Sequence, residues 1–247
     1  MKTDILTVVW KESKSLFRIR GRRANALLGM FSPVMLAVLF PLQEGVRWVQ
    51  SPLSLLLSFV APLILVGISI PDSFAGERER HTLPTLLASR LSDRAILFGK
   101  IISSVAFGWG VTLVLLMTSL VTVNIANWDG HILFYKPSIL LADLAFGFLV
   151  AMLTAGAGVL FSLRAKTAQE AQQTLMAVLL IPPMILQFGL YAIMGSDSGR
   201  VRLNAVLGAL SFEQIILVIV AVLVVLDAVL LMAAMSRFRR SRLVLSQ

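Results

Sequence analysis

Ionisable side chains are scarce in this chain and are gathered into a few short stretches, so any chemistry has to be sought there. Of its 247 residues, 57% are apolar and only 14% charged. The densest stretch reads Gly76-Glu77-Arg78-Glu79-Arg80-His81-Thr82-Leu83-Pro84-Thr85-Leu86-Leu87, followed by Asp93, Arg94 and then Gly99-Lys100. Alternating acids and bases of this kind suit charge-assisted hydrogen bonds to helix ends or to a partner surface. Two further acids, Asp143 and Asp227, stand inside long apolar runs. At a bilayer midplane an unshielded carboxylate costs about 2.5–3.5 kcal/mol on the insertion scale. Asp227 must therefore face water, carry a proton or bond to a polar group such as Gln187, and these two residues are the candidates for a substrate pathway. Asp143 lies near the outer edge of its run, where snorkelling or an interfacial cap is expected.

The missing residue types exclude as much. The chain has no cysteine, which removes disulfides, thiolate metal sites and thiol catalysis. Its two histidines, His81 and His131, fall on opposite sides of the membrane in the topology below, so no metal site is expected. The apolar runs hold no paired carboxylates, no His-Glu motif and no activated nucleophile, and hence no catalytic residue. No Gly-x-x-x-x-Gly-Lys-Ser/Thr loop occurs, so the chain lacks a recognisable cradle for nucleotide phosphates. A net charge of +9 raises the question of nucleic acid, but the basic residues sit in short segments between apolar runs and not on one soluble face.

Those apolar runs are the elements that must position everything else. Crossing about 30 Å of hydrocarbon takes roughly 20 helical residues. Six runs qualify, approximately Ala24 to Leu42, Leu53 to Pro71, Ile101 to Val123, Ser138 to Leu163, Thr174 to Met194 and Phe212 to Met235. The alternation of a membrane β-barrel is absent, which predicts an all-α polytopic membrane protein. Of the 22 Lys and Arg residues, only Arg47, Lys136, Arg200 and Arg202 fall on one side of the six spans. By the positive-inside rule the other side, with both termini, is cytoplasmic, in a multi-pass cell membrane protein. The first run follows a long basic segment and reads as a retained helix, not a signal peptide. The expected division is an interfacial helix over 1–23, a permease-like bundle over 24–235 and a basic tail over 236–247.

Local patterns refine this picture. Leu6, Val9, Trp10, Ser13, Leu16 and Phe17 recur at helical spacing while Lys11, Glu12, Lys14 and Arg18 take the other side, which predicts a helix lying on membrane lipid with its charges toward the headgroups. Between the second and third spans, Thr82 is placed as an N-cap and Leu83, Leu86, Leu87 and Leu91 form one face of a short amphipathic helix. Gly147, Ala151 and Ala155, with Gly156 and Gly158, predict close helix approach at the fourth span. Pro182-Pro183 should shape the fifth span. The outer stretch 195–211 mixes Val201, Leu203, Val206, Leu207 and Leu210 with Arg200 and Arg202, as a short helix dipping into the outer leaflet would.

At Gly76 to Lys100 the chain resembles the type-2 ABC (ATP-binding cassette) permeases, whose second and third spans are joined by a Gly-Glu-Arg-Glu-x-x-Thr-Leu-x-x-Leu-Leu segment ending in Gly-Lys. A weaker likeness covers Ser162 to Gln173, with Arg164, Lys166, Glu170, Gln172 and Gln173. The resemblance implies a small six-span half-transporter for export, with a coupling helix over 76–91 on which a separate ATPase subunit docks. It implies Glu77, Arg78, Glu79, Arg80, Thr82, Leu83, Leu86 and Leu87 as the partner-binding residues. ATP and magnesium would be held by that partner, and a second permease subunit, identical or not, would complete the pathway. Two alternatives remain open at this point: an ion- or proton-coupled secondary transporter using Asp227 and Asp143, and a haem-export permease of cytochrome maturation, which differs in cargo more than in mechanism.

Overall fold

The computed structural model describes residues 2–17, 23–82, 90–196, 200–201 and 211–238, with the backbone alone at 2, 15–17 and 23–30. Among these residues the chain is helical, without strands. The helices are α1 (Lys2–Phe17), α2 (Arg23–Glu44), α3 (Val46–Gln50), α4 (Leu55–Glu79), α5 (Asp93–Ala126), α6 (Pro137–Ser162), α7 (Ala168–Met194) and α8 (Phe212–Arg237), with a single 3-10 turn, Pro52–Ser54, leading into α4. Five segments are long and apolar enough to cross a membrane: Pro52–Glu79, Asp93–Ala126, Pro137–Ser162, Ala168–Met194 and Phe212–Arg237. In the first predicted span, α2 runs 22 residues and is apolar over Phe31–Glu44. The outer stretch expected to dip into the leaflet lies outside the described residues at 197–199 and 202–210, as does the basic tail at 239–247.

Local chemistry sets the helix ends. Ser92 caps α5 by accepting from Ala95 N at 3.2 Å, and Thr167 caps α7 by accepting from Glu170 N at 3.1 Å. Ser211 and Gln214 form a reciprocal capping box at α8, with Ser211 N donating to Gln214 Oε1 at 2.8 Å. Between α2 and α3, Gly45 takes φ 55, and a Cβ there would meet Asn127 Oδ1 at 2.9 Å, so the turn needs glycine for both conformation and space. α4 closes with a Schellman pair, Thr82 N to Glu77 O at 2.9 Å and His81 N to Arg78 O at 3.0 Å, which puts His81 at φ 56. A left-handed residue with a Cβ is disfavoured by about 1–2 kcal/mol, so His81→Gly is expected to raise the thermal midpoint in detergent by a few degrees. An unchanged midpoint would show that the His81 side chain compensates its own strain.

Two predicted boundaries shift. Hydropathy ends the second span at Pro71, but the helix continues two turns further, so the acidic-basic run, expected to open a separate coupling helix over 76–91, is the end of α4 up to Glu79. Hydropathy also starts the third span at Ile101, whereas α5 begins at Asp93 and carries Lys100 inside it. At 34 residues, α5 is about 51 Å long and outreaches the hydrocarbon layer.

α4 is the centre of the bundle, flanked by α2, α5, α6 and α7. One core cluster joins Val66, Ile70 and Phe74 of α4 to Ile96, Leu97, Ile101 and Val105 of α5 and Ala151, Ala155 and Val159 of α6. A second, toward the other end, gathers Trp48, Val49, Leu57, Ala61, Leu115, Leu116, Tyr135 and Ile139. The small-residue stripe of α6 does bring helices close: Cβ atoms at Gly147 and Gly158 would press on Ser58 O and Ile70, and one at Gly156 on Leu230 of α8. α7 runs unbroken through Pro182-Pro183 and, among the described residues, buries only Ala168, Ala171 and Leu175, so its far half is largely exposed.

Candidate functional site at the charged end of the bundle

The run Gly76 to Arg80 occupies the last turns of the central helix, and each of its charged residues reaches a different element. Glu77 turns inward. Its Oε1 accepts from Lys11 Nζ of α1 at 2.9 Å, and its Oε2 lies 3.0 Å from Lys100 Nζ of α5. Arg78 donates to the carbonyls of Ser162 and Leu163, the latter at 3.3 Å, where α6 ends. Glu79 Oε2 accepts from Ala168 N at 3.2 Å, where α7 begins. A cation on a helix C-terminus and an anion on a helix N-terminus both satisfy orphaned backbone groups and match the helix dipoles. Arg80 turns back on its own helix to pair with Asp72 at 3.2 Å. That pair passes over Gly76, where a Cβ would stand 2.8 Å from Asp72 Oδ1 and 3.0 Å from Arg80 Nη2.

Around Glu77 the charges form a closed group of two anions and two cations. Lys100, wholly buried, contacts Glu12 Oε1 at 3.2 Å as well as Glu77, donates to Ser73 O at 2.5 Å and faces the Phe74 ring at 5.2 Å. Lys11 also lies 3.5 Å from Glu12. For Lys11, burial works against the charge, but the hydrogen bond and field of Glu77, then those of Glu12, outweigh it and hold the ammonium above the ordinary lysine value. The neighbouring Gly99 explains how α1 comes so near: a Cβ there would stand 2.6 Å from Val8.

This arrangement corrects the expected orientation of α1. The helix forms, but Glu12 does not face headgroups; it is buried against α5 beside Val8, while Leu6 and Trp10 are exposed and Lys14 Nζ lies 4.9 Å over the Trp10 ring. Charged side chains here pay for burial by pairing, which the period of the helix alone does not reveal. Lys11, Glu12 and Lys100 are the functional candidates that sequence reasoning left out. Lys11 and Glu77 are 66 positions apart, and the only signal was the Gly99-Lys100 pair that closes the motif.

The remaining sequence candidates fall elsewhere. Thr82 Oγ1 donates to Glu77 O at 3.1 Å and so finishes α4, while its expected helix with Leu83, Leu86 and Leu87 lies outside the described residues. Asp143 neither snorkels nor caps: it is 1% exposed and accepts from Ser54 and Ser58, each at 2.7 Å. Two serines on α4 and the preceding turn give it donors that a lipid-facing position would not. Asp227 is buried on α8 with no hydrogen-bond partner for either oxygen among the described residues, and Gln187 is exposed on α7, so the two are not brought together. At the other end of α5 an apolar groove of about 490 Å³, lined by Leu120, Val121, Asn124, Ile125, Trp128 and Ile132, is separate from the ion cluster.

Apolar helices of spanning length with their ion pairs gathered at one end define a polytopic membrane protein whose charged end ties the helices together. The family model described as ABC-2 family transporter protein matches residues 38–207, and the chain belongs to that family. It is accordingly a membrane permease of the ABC transporter class, a class that implies an ATPase partner. A search among curated proteins finds no match. The matched segment holds Glu77, Lys100 and Asp143 and stops short of α1 and α8.

Proposed function

We propose that this chain is the membrane-spanning subunit of an ATP-driven exporter, energised by a separate ATPase that docks on the segment 76–91. The observation that carries this reading is the placement of Glu77, Arg78 and Glu79, which bond to α1, α5, α6 and α7 from the end of one helix. A ligand shifts a conformational equilibrium only through differential contacts. A partner that displaces this helix end therefore acts on four other helices at once. The Leu83, Leu86 and Leu87 face, which follows directly in sequence, supplies the apolar surface for that partner.

In this reading α2 is the first of six spans, the Lys/Arg-rich end is cytoplasmic with both termini, and the protein sits in the cell membrane. The largely exposed apolar flanks of α7 and α8 are met by lipid and by a second permease subunit of the same or a related chain. ATP and magnesium belong to the partner. A secondary-transport reading has less behind it, since Asp143, one of its two coupling candidates, is already held by two serines.

The test is assembly. The isolated chain is expected to hydrolyse no ATP and, expressed with its operon neighbours, to co-purify with an ATPase subunit. Leu86→Asp with Leu87→Asp should lower the recovered ATPase at least tenfold at unchanged membrane insertion, the equivalent of about 1.4 kcal/mol or more of lost docking energy. Undiminished recovery would refute docking at this helix.

A further inference from the structure

We propose that α1 is a moving part of the permease and that Lys100 is the positioning residue that makes it follow the end of α4; this rests on the ATPase docking at 76–91. Lys11 and Glu12, which hold α1, lie outside the family-matched segment, whereas Glu77 and Lys100 lie within it. α1 is thus fastened to the permease core by ionic contacts at this point.

The fastening is stiff for three reasons. Lys100 is wholly buried, and its ammonium meets Glu12, Glu77 and Ser73 O together, so none of the three can shift alone without leaving a buried charge short of a partner. Glu77 bridges, with one oxygen on Lys11 and the other on Lys100, which ties α1 directly and also through α5. Gly99 lets the α1 backbone close on α5, with Ile5 O and Val8 at the contact, so no gap absorbs a displacement.

On its other side Glu77 continues through the Schellman turn to Thr82 and the docking segment. A pull on that segment moves the Glu77 carboxylate, and the pair of lysines carries α1 with it. The outward face of α1, Leu6 and Trp10, lies where the membrane surface would meet it, so the motion is transmitted along the interface. Among the described residues α8 makes no ion pair or hydrogen bond with this group, and Phe238 just past its end meets the Phe74 ring edge-on, so α8 serves as the reference against which α1 is measured.

Because the chain has no cysteine, spin labels at Thr7→Cys and Ser236→Cys report the α1–α8 distance cleanly. Both positions are exposed. The complex with its ATPase is placed in nanodiscs of phosphatidylethanolamine and phosphatidylglycerol, and distances are compared without nucleotide and with ATP plus vanadate. The parent complex is expected to shift its distance distribution. Lys100→Met should abolish that shift while the ATPase stays bound and still hydrolyses ATP. Where Lys100→Met fails to insert, Lys11→Met with Glu12→Gln serves, because it frees α1 yet leaves the neutral Glu77–Lys100 pair in the core. A shift that survives in the double variant overturns the proposal, as does a parent complex with bound ATPase and no shift, which would make α1 a static anchor. Without any ATPase, the Thr7 label should be restricted in the parent chain and mobile in the double variant; equal restriction defeats the latch by itself. Failure of the parent chain to bind any ATPase would instead refute the docking on which the proposal rests.

Discussion

Glu77→Ala is expected to cost about 3–5 kcal/mol of stability, the range for removing one partner from a buried ion pair. The reason is charge balance. Lys11, Glu12, Glu77 and Lys100 together are neutral, and losing Glu77 leaves two ammonium groups sharing Glu12 at a site where Lys100 has no access to water. Against a total of about 5–15 kcal/mol for a folded domain this is a severe loss. Three residues away in the same motif, Arg80→Ala should cost only about 0–1 kcal/mol, because the Arg80–Asp72 pair is roughly half exposed on both sides, at 53% and 42%. Glu77→Ala combined with Lys100→Met should be milder than Glu77→Ala alone, since Lys11 and Glu12 then remain as a neutral pair. Unfolding in mixed micelles measures all three variants, and equal losses for Glu77→Ala and Arg80→Ala would show that the buried group is solvated after all.

The second large effect is expected at Asp143, and there the donors should matter more than the acid. Ser54 and Ser58 are fully buried and each gives the carboxylate a 2.7 Å hydrogen bond. Hydrogen bonds to a charged group are worth about 1.5–3 kcal/mol each, so Ser54→Ala with Ser58→Ala should cost about 3–6 kcal/mol by stranding the acid. Asp143→Ala strands only hydroxyls, and these can turn back on their own helix as Ser103, Thr112 and Ser162 do toward Gly99, Gly108 and Gly158. It should therefore cost about 1–3 kcal/mol, and the triple substitution should resemble it more than the double. The same unfolding measurement decides this order. A double-serine variant as stable as Asp143→Ala would mean that the carboxylate has another partner, or a proton, in the membrane.

Class and family-level character were legible in the residues themselves. Apolar runs of spanning length have one solution in a bilayer, because every backbone polar group must bond within its own helix. Five of the six predicted runs recur as long apolar helices, and α2 occupies the place of the other. The Gly76 to Lys100 segment was readable because its residue types are unusual beside so much leucine and valine, and its likeness to type-2 permeases agrees with the family match over 38–207. The small-residue stripe of α6 likewise announced close helix contacts, since glycine and alanine at every fourth position leave room only for another backbone.

What the tertiary structure alone decided is the direction in which the charges point. Hydropathy ends a span where charge begins, so Glu77 was assigned to a separate cytoplasmic coupling helix and Lys100 to the edge of the third span, although helix geometry carries both into the bundle. Glu12 was read as a headgroup-facing acid because the period of α1 shows a polar side but cannot show that another helix supplies a lysine there. Asp143 was given an exposed site because its serines lie more than eighty positions earlier in the chain. In each case the deciding term is the pairing of buried charges across long sequence separations. A sequence records which residues carry charge, whereas the stability of a buried charge depends on which distant group the fold brings within about 3 Å of it.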